Sequence, residues 1–150
     1  MTSLRRSIGV LTLALAAATP AFAQELSPAG RIKVVSGSAF IVRGSETIPA
    51  RPGDPVFAAD SLRTGEGGSV GVTLKDDTRL SLGSNSEVRL DRYVYAPGSG
   101  SIGMVLKFVR GVAAYVSGRM AKLAPDAIRL ETPAAIVGIR GTTLALQVQP

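Results

Sequence analysis

Residues 132–146 read TPAAIVGIRGTTLAL and place a single arginine, Arg140, between Gly138 and Gly141 in a strand-like stretch. An arginine pinned in this way presents five donors in a planar fork. That fork suits two tasks. It can clamp an anionic ligand such as citrate or a uronic acid, or it can tie strand ends to a partly buried carboxylate, for which Asp54 and Asp60 are the available acceptors. Tyr93 and Tyr95 flank Val94 and therefore share one face of a strand, either as a binding pair for a sugar or protein or as cross-strand packing. Asp76 and Asp77 are adjacent acids, but a calcium ion takes six to eight oxygens and no further acids cluster there, so the pair reads as a turn. Asp54 with Asp60 has the residue types of a carboxylate pair for glycoside hydrolysis. Both lie in turn contexts, and the chain has no tryptophan on which a sugar would stack. The chain also lacks histidine and cysteine. The commonest general base, the commonest metal ligand and the thiol nucleophile are therefore all missing. We expect no catalytic residues, no metal and no cofactor.

The elements that must carry these residues are strands. Apolar residues alternate through most of the chain, which is the strand period. Residues 32–35 and 39–42 read as strands broken at Gly37. Val70, Val72 and Leu74, then Leu80 and Leu82, form a hairpin about the Asp76–Asp77 turn. Val88 and Leu90 alternate with Arg89 and Asp91. Segments MVLKFVRG and VAAYVSG read as two strands joined by a turn at Arg110–Gly111, and RMAKLAPDA as a connection holding one helical turn. Residues 128–148 supply two or three more strands. The expected fold is all-β, a single compact domain of nine or ten short strands. Its form is a sandwich, jelly-roll-like or barrel, or a short β-helical wrap. Glycine inside a strand marks a bend or a close approach of backbones, so Gly138 and Gly141 are expected to serve one of those ends. Thr132–Pro133 reads as strand punctuation.

Residues 1–23 have a basic start at Arg5 and Arg6, an apolar run, and Ala21-Phe22-Ala23 before Gln24. This is the pattern of a cleaved secretory signal, and the run is well short of the roughly 20 residues of a membrane span. The expected mature chain, residues 24–150, is periplasmic or secreted, starts at Gln24 and has no membrane span. Seventeen bases against eleven acids give +6. Cleavage removes Arg5 and Arg6 and no acid, leaving +4. The bases are dispersed along the chain without an aromatic-interleaved run, which argues against nucleic acid and leaves a weak attraction to anionic glycans.

Four ordered segments resemble the FecR domain, named for a periplasmic regulator of ferric citrate transport. The first holds a Pro-x-x-x-Gly-Asp turn at Pro49, Gly53 and Asp54, then Asp60, Leu62, Thr64 and Gly65. The hairpin VTLKDDTRLSLGSNSEVRLD is similar to the family's, with Asp-Asp where Asp-Gly is usual. VRGVAAYVSG resembles its glycine-bearing strand. The segment ETPAAIVGIRGT, with Thr132, Pro133, Gly138, Arg140, Gly141 and Thr142, matches the closing motif. The resemblance implies a non-enzymatic envelope module that binds a protein or an anionic glycan. It alternatively implies a periplasmic ligand sensor that feeds a transmembrane, sigma-factor-regulating pathway through another protein. Family members of that kind carry a cytoplasmic segment and a membrane span, neither of which this sequence shows, so direct contact with a sigma factor is not expected.

Overall fold

A computed structural model describes residues 26–139 and 143–149. The leader, the Gln24 start, and Arg140, Gly141 and Thr142 lie outside the described residues. The described residues are mostly strand: β1 Gly30–Ser36, β2 Ala39–Arg43, β3 Glu46–Pro49, β4 Pro55–Val56, β5 Ser61–Thr64, β6 Ser69–Leu74, β7 Arg79–Leu82, β8 Glu87–Ala96, β9 Ser101–Val116, β10 Ile128–Glu131, β11 Ile136–Gly138 and β12 Thr143–Val148. One short helix, α1 Arg119–Leu123, follows β9.

The fold is all-β, with twelve described strands rather than nine or ten. The additional ones are the short β3 and β4, in a Pro- and Gly-rich stretch where alternation is too brief to register. Strands close in sequence pair antiparallel through tight turns, as β2 with β3 and β6 with β7 do, which rules out a β-helical wrap. The strands make one curled sheet whose two halves share β9. One half runs β3-β2-β5-β8-β9-β10-β11, and the other β4-β1-β6-β7-β9-β12. Among the described residues the single parallel pairing is β9 with β10.

The expected turn at Arg110–Gly111 is not a turn. The chain runs straight through it as β9, sixteen residues long. Residues up to Arg110 pair with β8, and Ala113–Val116 pair with β7. Gly111 has φ 85°, a backbone state that side chains resist, and a Cβ there would collide with Ser86. Here glycine lets one strand pass from one half of the sheet to the other. Ser86 Oγ fixes the passage by donating to the Val112 carbonyl and accepting from the Val112 amide.

The halves pack face to face. Val72, Leu74 and Leu80 of one meet Leu62, Val88, Leu90 and Leu106 of the other around a residual void of only about 10 Å³. Val88, Leu90, Leu106 and Phe108 are almost wholly buried, whereas the alternating Arg89 and Lys107 are exposed. Period-two patterning therefore fixes which residues line the core and which cover the outside.

Candidate functional site

Two buried aspartates organise the molecule. Asp60 is 2% exposed. Arg43 Nε donates to its Oδ1 at 2.9 Å, and Arg43 Nη2 to its Oδ2 at 2.8 Å. The Phe57 amide adds a third bond to Oδ2 at 2.8 Å. The Arg43 guanidinium lies 4.6 Å above the Phe57 ring. Hydrogen bonding to Asp60 raises the pKa of Arg43, against a smaller opposing effect of burial. Downstream, Thr64 Oγ1 donates to the Gly83 carbonyl at 2.6 Å and accepts from the Ser86 amide at 2.9 Å. The Gly65 amide bonds the Ser38 carbonyl at 3.0 Å. The Asp60–Gly65 segment thus joins β2, β5 and the turn before β8. The carboxylate that the sequence offered to Arg140 is held by Arg43. Asp54 accepts instead from the Arg51 amide at 2.9 Å, beside Gly53 at φ 94°.

Asp76 is completely buried, and no cation pairs with it among the described residues. Its Oδ1 accepts from Tyr93 OH at 2.9 Å and the Thr78 amide at 3.3 Å. Its Oδ2 accepts from Thr78 Oγ1 at 2.6 Å and the Met120 amide, at the start of α1, at 3.3 Å. These donors leave no lone-pair direction for a metal ion. Gly118 lies so close that a Cβ there would overlap the Asp76 carbonyl and the Thr78 amide. Tyr93 also accepts from the Asp76 amide at 3.0 Å. Burial, and after it the charge of Asp76, pushes the Tyr93 phenol well above its ordinary range. The same causes push Tyr115 up to about 12; Thr78 opposes this, yet among the described residues no hydrogen bond of ordinary geometry reaches the Tyr115 hydroxyl.

Tyr93 and Tyr95 do share a side of β8, but it is the core side. Both pack against the core, Tyr93 is bonded to Asp76, and Arg119 lies 5.9 Å over Tyr95. They do not form an open pair. Thr132 and Pro133 fall in the turn between β10 and β11, where Thr132 Oγ1 accepts from the Ala135 amide at 3.0 Å. Gly138, expected at a bend or a close approach, ends β11. Its φ is not positive, and among the described residues nothing lies within 4 Å of where its Cβ would be.

The surface that the linear reading missed is the outer face of the β5-β8-β9-β10 half. Outward positions line up across strands as Arg63, Glu87 and Arg110; as Arg89, Lys107 and Glu131; and as Arg92, Val105 and Arg129. Glu87 is shared between Arg63 at 3.3 Å and Arg110 at 3.6 Å. Arg89 pairs with the bulge residue Asp91 at 2.6 Å, and Arg129 reaches Glu131 at 3.9 Å. Arg92 and Lys107 enter no ion pair among the described residues. The bases are 15 or more residues apart between strands in sequence. Parity alone would not have revealed them, since Arg89 and Arg92, like Lys107 and Arg110, come to one face only through a bulge between them.

The family model described as FecR protein matches residues 60–150. The chain belongs to the FecR family. The match starts at Asp60 and takes in the Asp76 hairpin, all of β9 and the closing GIRG motif. β1 and β2, which precede it, pair with β6 and β5 inside it. No curated protein and no solved structure matches the chain. The FecR family supplies a regulatory or sensing module. Among the described residues no helix is long and apolar enough to cross a membrane, and no three acids gather as a metal site would require.

Proposed function

We propose that this FecR-family chain is exported and acts in the cell envelope as a non-catalytic binding module. The observation that carries this reading is the state of its two buried carboxylates. Asp60 and Asp76, the acids whose burial would fit them for acid–base work, are each saturated by three or four donors of the fold itself. A catalytic carboxyl must instead reach the proton it moves. The open face of β5, β8, β9 and β10 offers broad contact without a reaction centre. Membership of the FecR family favours a second reading, a periplasmic sensor that passes a signal through another protein.

Fractionation with N-terminal sequencing, followed by crosslinking in intact cells, tests the proposal. The expected result is a periplasmic or secreted chain starting at Gln24 and crosslinked to envelope components. An uncleaved cytoplasmic chain would overturn it. A crosslink confined to an inner-membrane signalling protein would select the sensor reading.

A further inference from the structure

We infer that the outer face of β5, β8, β9 and β10 binds an acidic polysaccharide, one that repeats a carboxylate along a flexible sugar chain. This deepens the reading of the chain as an envelope binding module and rests on it. Arg63, Arg89, Arg92, Lys107, Arg110 and Arg129 share the face with only three acids, Glu87, Asp91 and Glu131. The surplus is three, out of a surplus of four for all described residues, fourteen bases against ten acids. Arg89 and Lys107 face each other on adjacent strands, roughly 5 Å apart, while Arg63 and Arg110, and Arg92 and Arg129, stand two strands apart at roughly 10 Å. That is the scale on which a polyuronate repeats its charge.

The shape of the face also selects the partner. Arg92 does not stand off the sheet. Its guanidinium lies against Gly103, where a side chain would displace it. Glycine at that position leaves room for the fork to lie over the sheet. A stable protein interface has an apolar centre depleted of charge, with aromatic anchors. Here the charges occupy the centre, and the one aromatic nearby, Phe40, is half-buried beside Arg63 at the margin. Single-stranded nucleic acid needs aromatic platforms for its bases, and the face has none. A polyanion that contributes many weak charged contacts and releases its counterions fits what remains.

The test uses polygalacturonate as the probe, neutral dextran as the blank and a single-stranded DNA oligomer as a second polyanion. Arg92 and Lys107 make no ion pair among the described residues, so the double variant Arg92→Gln, Lys107→Gln removes two charges without breaking one. Lys33→Gln, Arg79→Gln removes two exposed charges from the other half of the molecule. Melting temperatures establish that both variants fold. The expected result is binding of polygalacturonate that weakens with salt, lost roughly tenfold in the first variant and less than twofold in the second. Equal losses in the two variants, or none in either, would overturn the assignment of this face and leave the envelope module standing. DNA bound as tightly as polygalacturonate would overturn the sugar assignment. Failure of export would overturn the module reading whatever the polymer does.

Discussion

Asp60 and Asp76 are buried to the same degree and held by opposite means. Asp60 faces a cation. Arg43 meets it in a two-pronged bond and remains 38% exposed, so the pair sits at the margin of the core, where water screens it. Among the described residues Asp76 faces no cation, and it rests on neutral donors from its own turn, from β8 and from the start of α1. A buried charge costs several kcal/mol unless it is compensated, and either a counter-charge or a set of oriented dipoles can do this. The difference teaches what each node is for. Arg43–Asp60 fastens one edge of the sheet. Asp76 joins three elements that no strand pairing connects, so its loss should propagate further.

The largest effect should therefore come from Asp76→Ala. It leaves Tyr93 OH, the Thr78 amide and hydroxyl and the Met120 amide without an acceptor, and should cost about 3–5 kcal/mol. Denaturant melts would measure this. Arg43→Ala should cost less, about 2–3 kcal/mol, because water can reach the half-exposed site and hydrate Asp60. If Arg43→Ala proves the more damaging, the ranking of the two nodes is wrong. Arg43→Lys should recover only part of the loss, since lysine cannot form the two-pronged bond.

Much of this was legible in the residues and some was not. Alternation located the β6–β7 hairpin and the inward side chains of β8, because period two is a local property. The Asp60–Gly65 signature was visible, but its partner was not, since Arg43 is 17 residues upstream. One clue existed: Arg43 shares parity with Ala39 and Ile41, both core residues, and a base on the core side of a strand needs an acid. Asp76 gave no such clue. A pair of aspartates in a turn looks alike whether it is solvated or buried, and only the return of β8 and α1 over the turn decides. Gly111 misled for a related reason, as a glycine between two apolar runs signals a turn and a strand bend equally. The basic face was hidden because strand pairing and two bulges, rather than sequence proximity, gather its members.

Within the Asp76 node the two tyrosines sharpen the comparison. Tyr93→Phe removes a hydroxyl that both donates to Asp76 and accepts from its amide, and should cost about 1–2 kcal/mol. Tyr115→Phe removes a buried hydroxyl with no partner among the described residues, so it should be neutral or stabilising by up to about 1 kcal/mol. The pair also sets an alkaline limit. Unfolded tyrosine loses its proton near pH 10, while folded Tyr115 holds it until about 12 and Tyr93 is shifted in the same direction. Ionisation then favours the unfolded chain, so stability should be level below about pH 10 and fall from there towards 12. Melts across that range should show a shallower fall in Tyr115→Phe. An unchanged slope would mean that Tyr115 ionises freely in the fold.

The smallest effect should come from Asp77, the neighbour of Asp76 with an opposite setting. Asp77 is exposed at φ 68° and makes a solvent-facing pair with Arg119 at 2.9 Å. Asp77→Gly relieves the left-handed backbone, which aspartate tolerates better than most residues, but it loosens the unfolded chain and gives up the pair. An exposed pair of this kind is worth about 0–1 kcal/mol. The terms nearly cancel, and the net change should lie within about 0.5 kcal/mol of zero. Asp77→Ala gives up the same pair and places a methyl-bearing residue at positive φ, so it should be the worse of the two by about 1 kcal/mol. The order of melting temperatures, glycine close to wild type and alanine below both, separates backbone strain from the ion pair. If alanine and glycine fall together in low salt and recover together in high salt, the ion pair with Arg119 holds this corner and the backbone conformation contributes little.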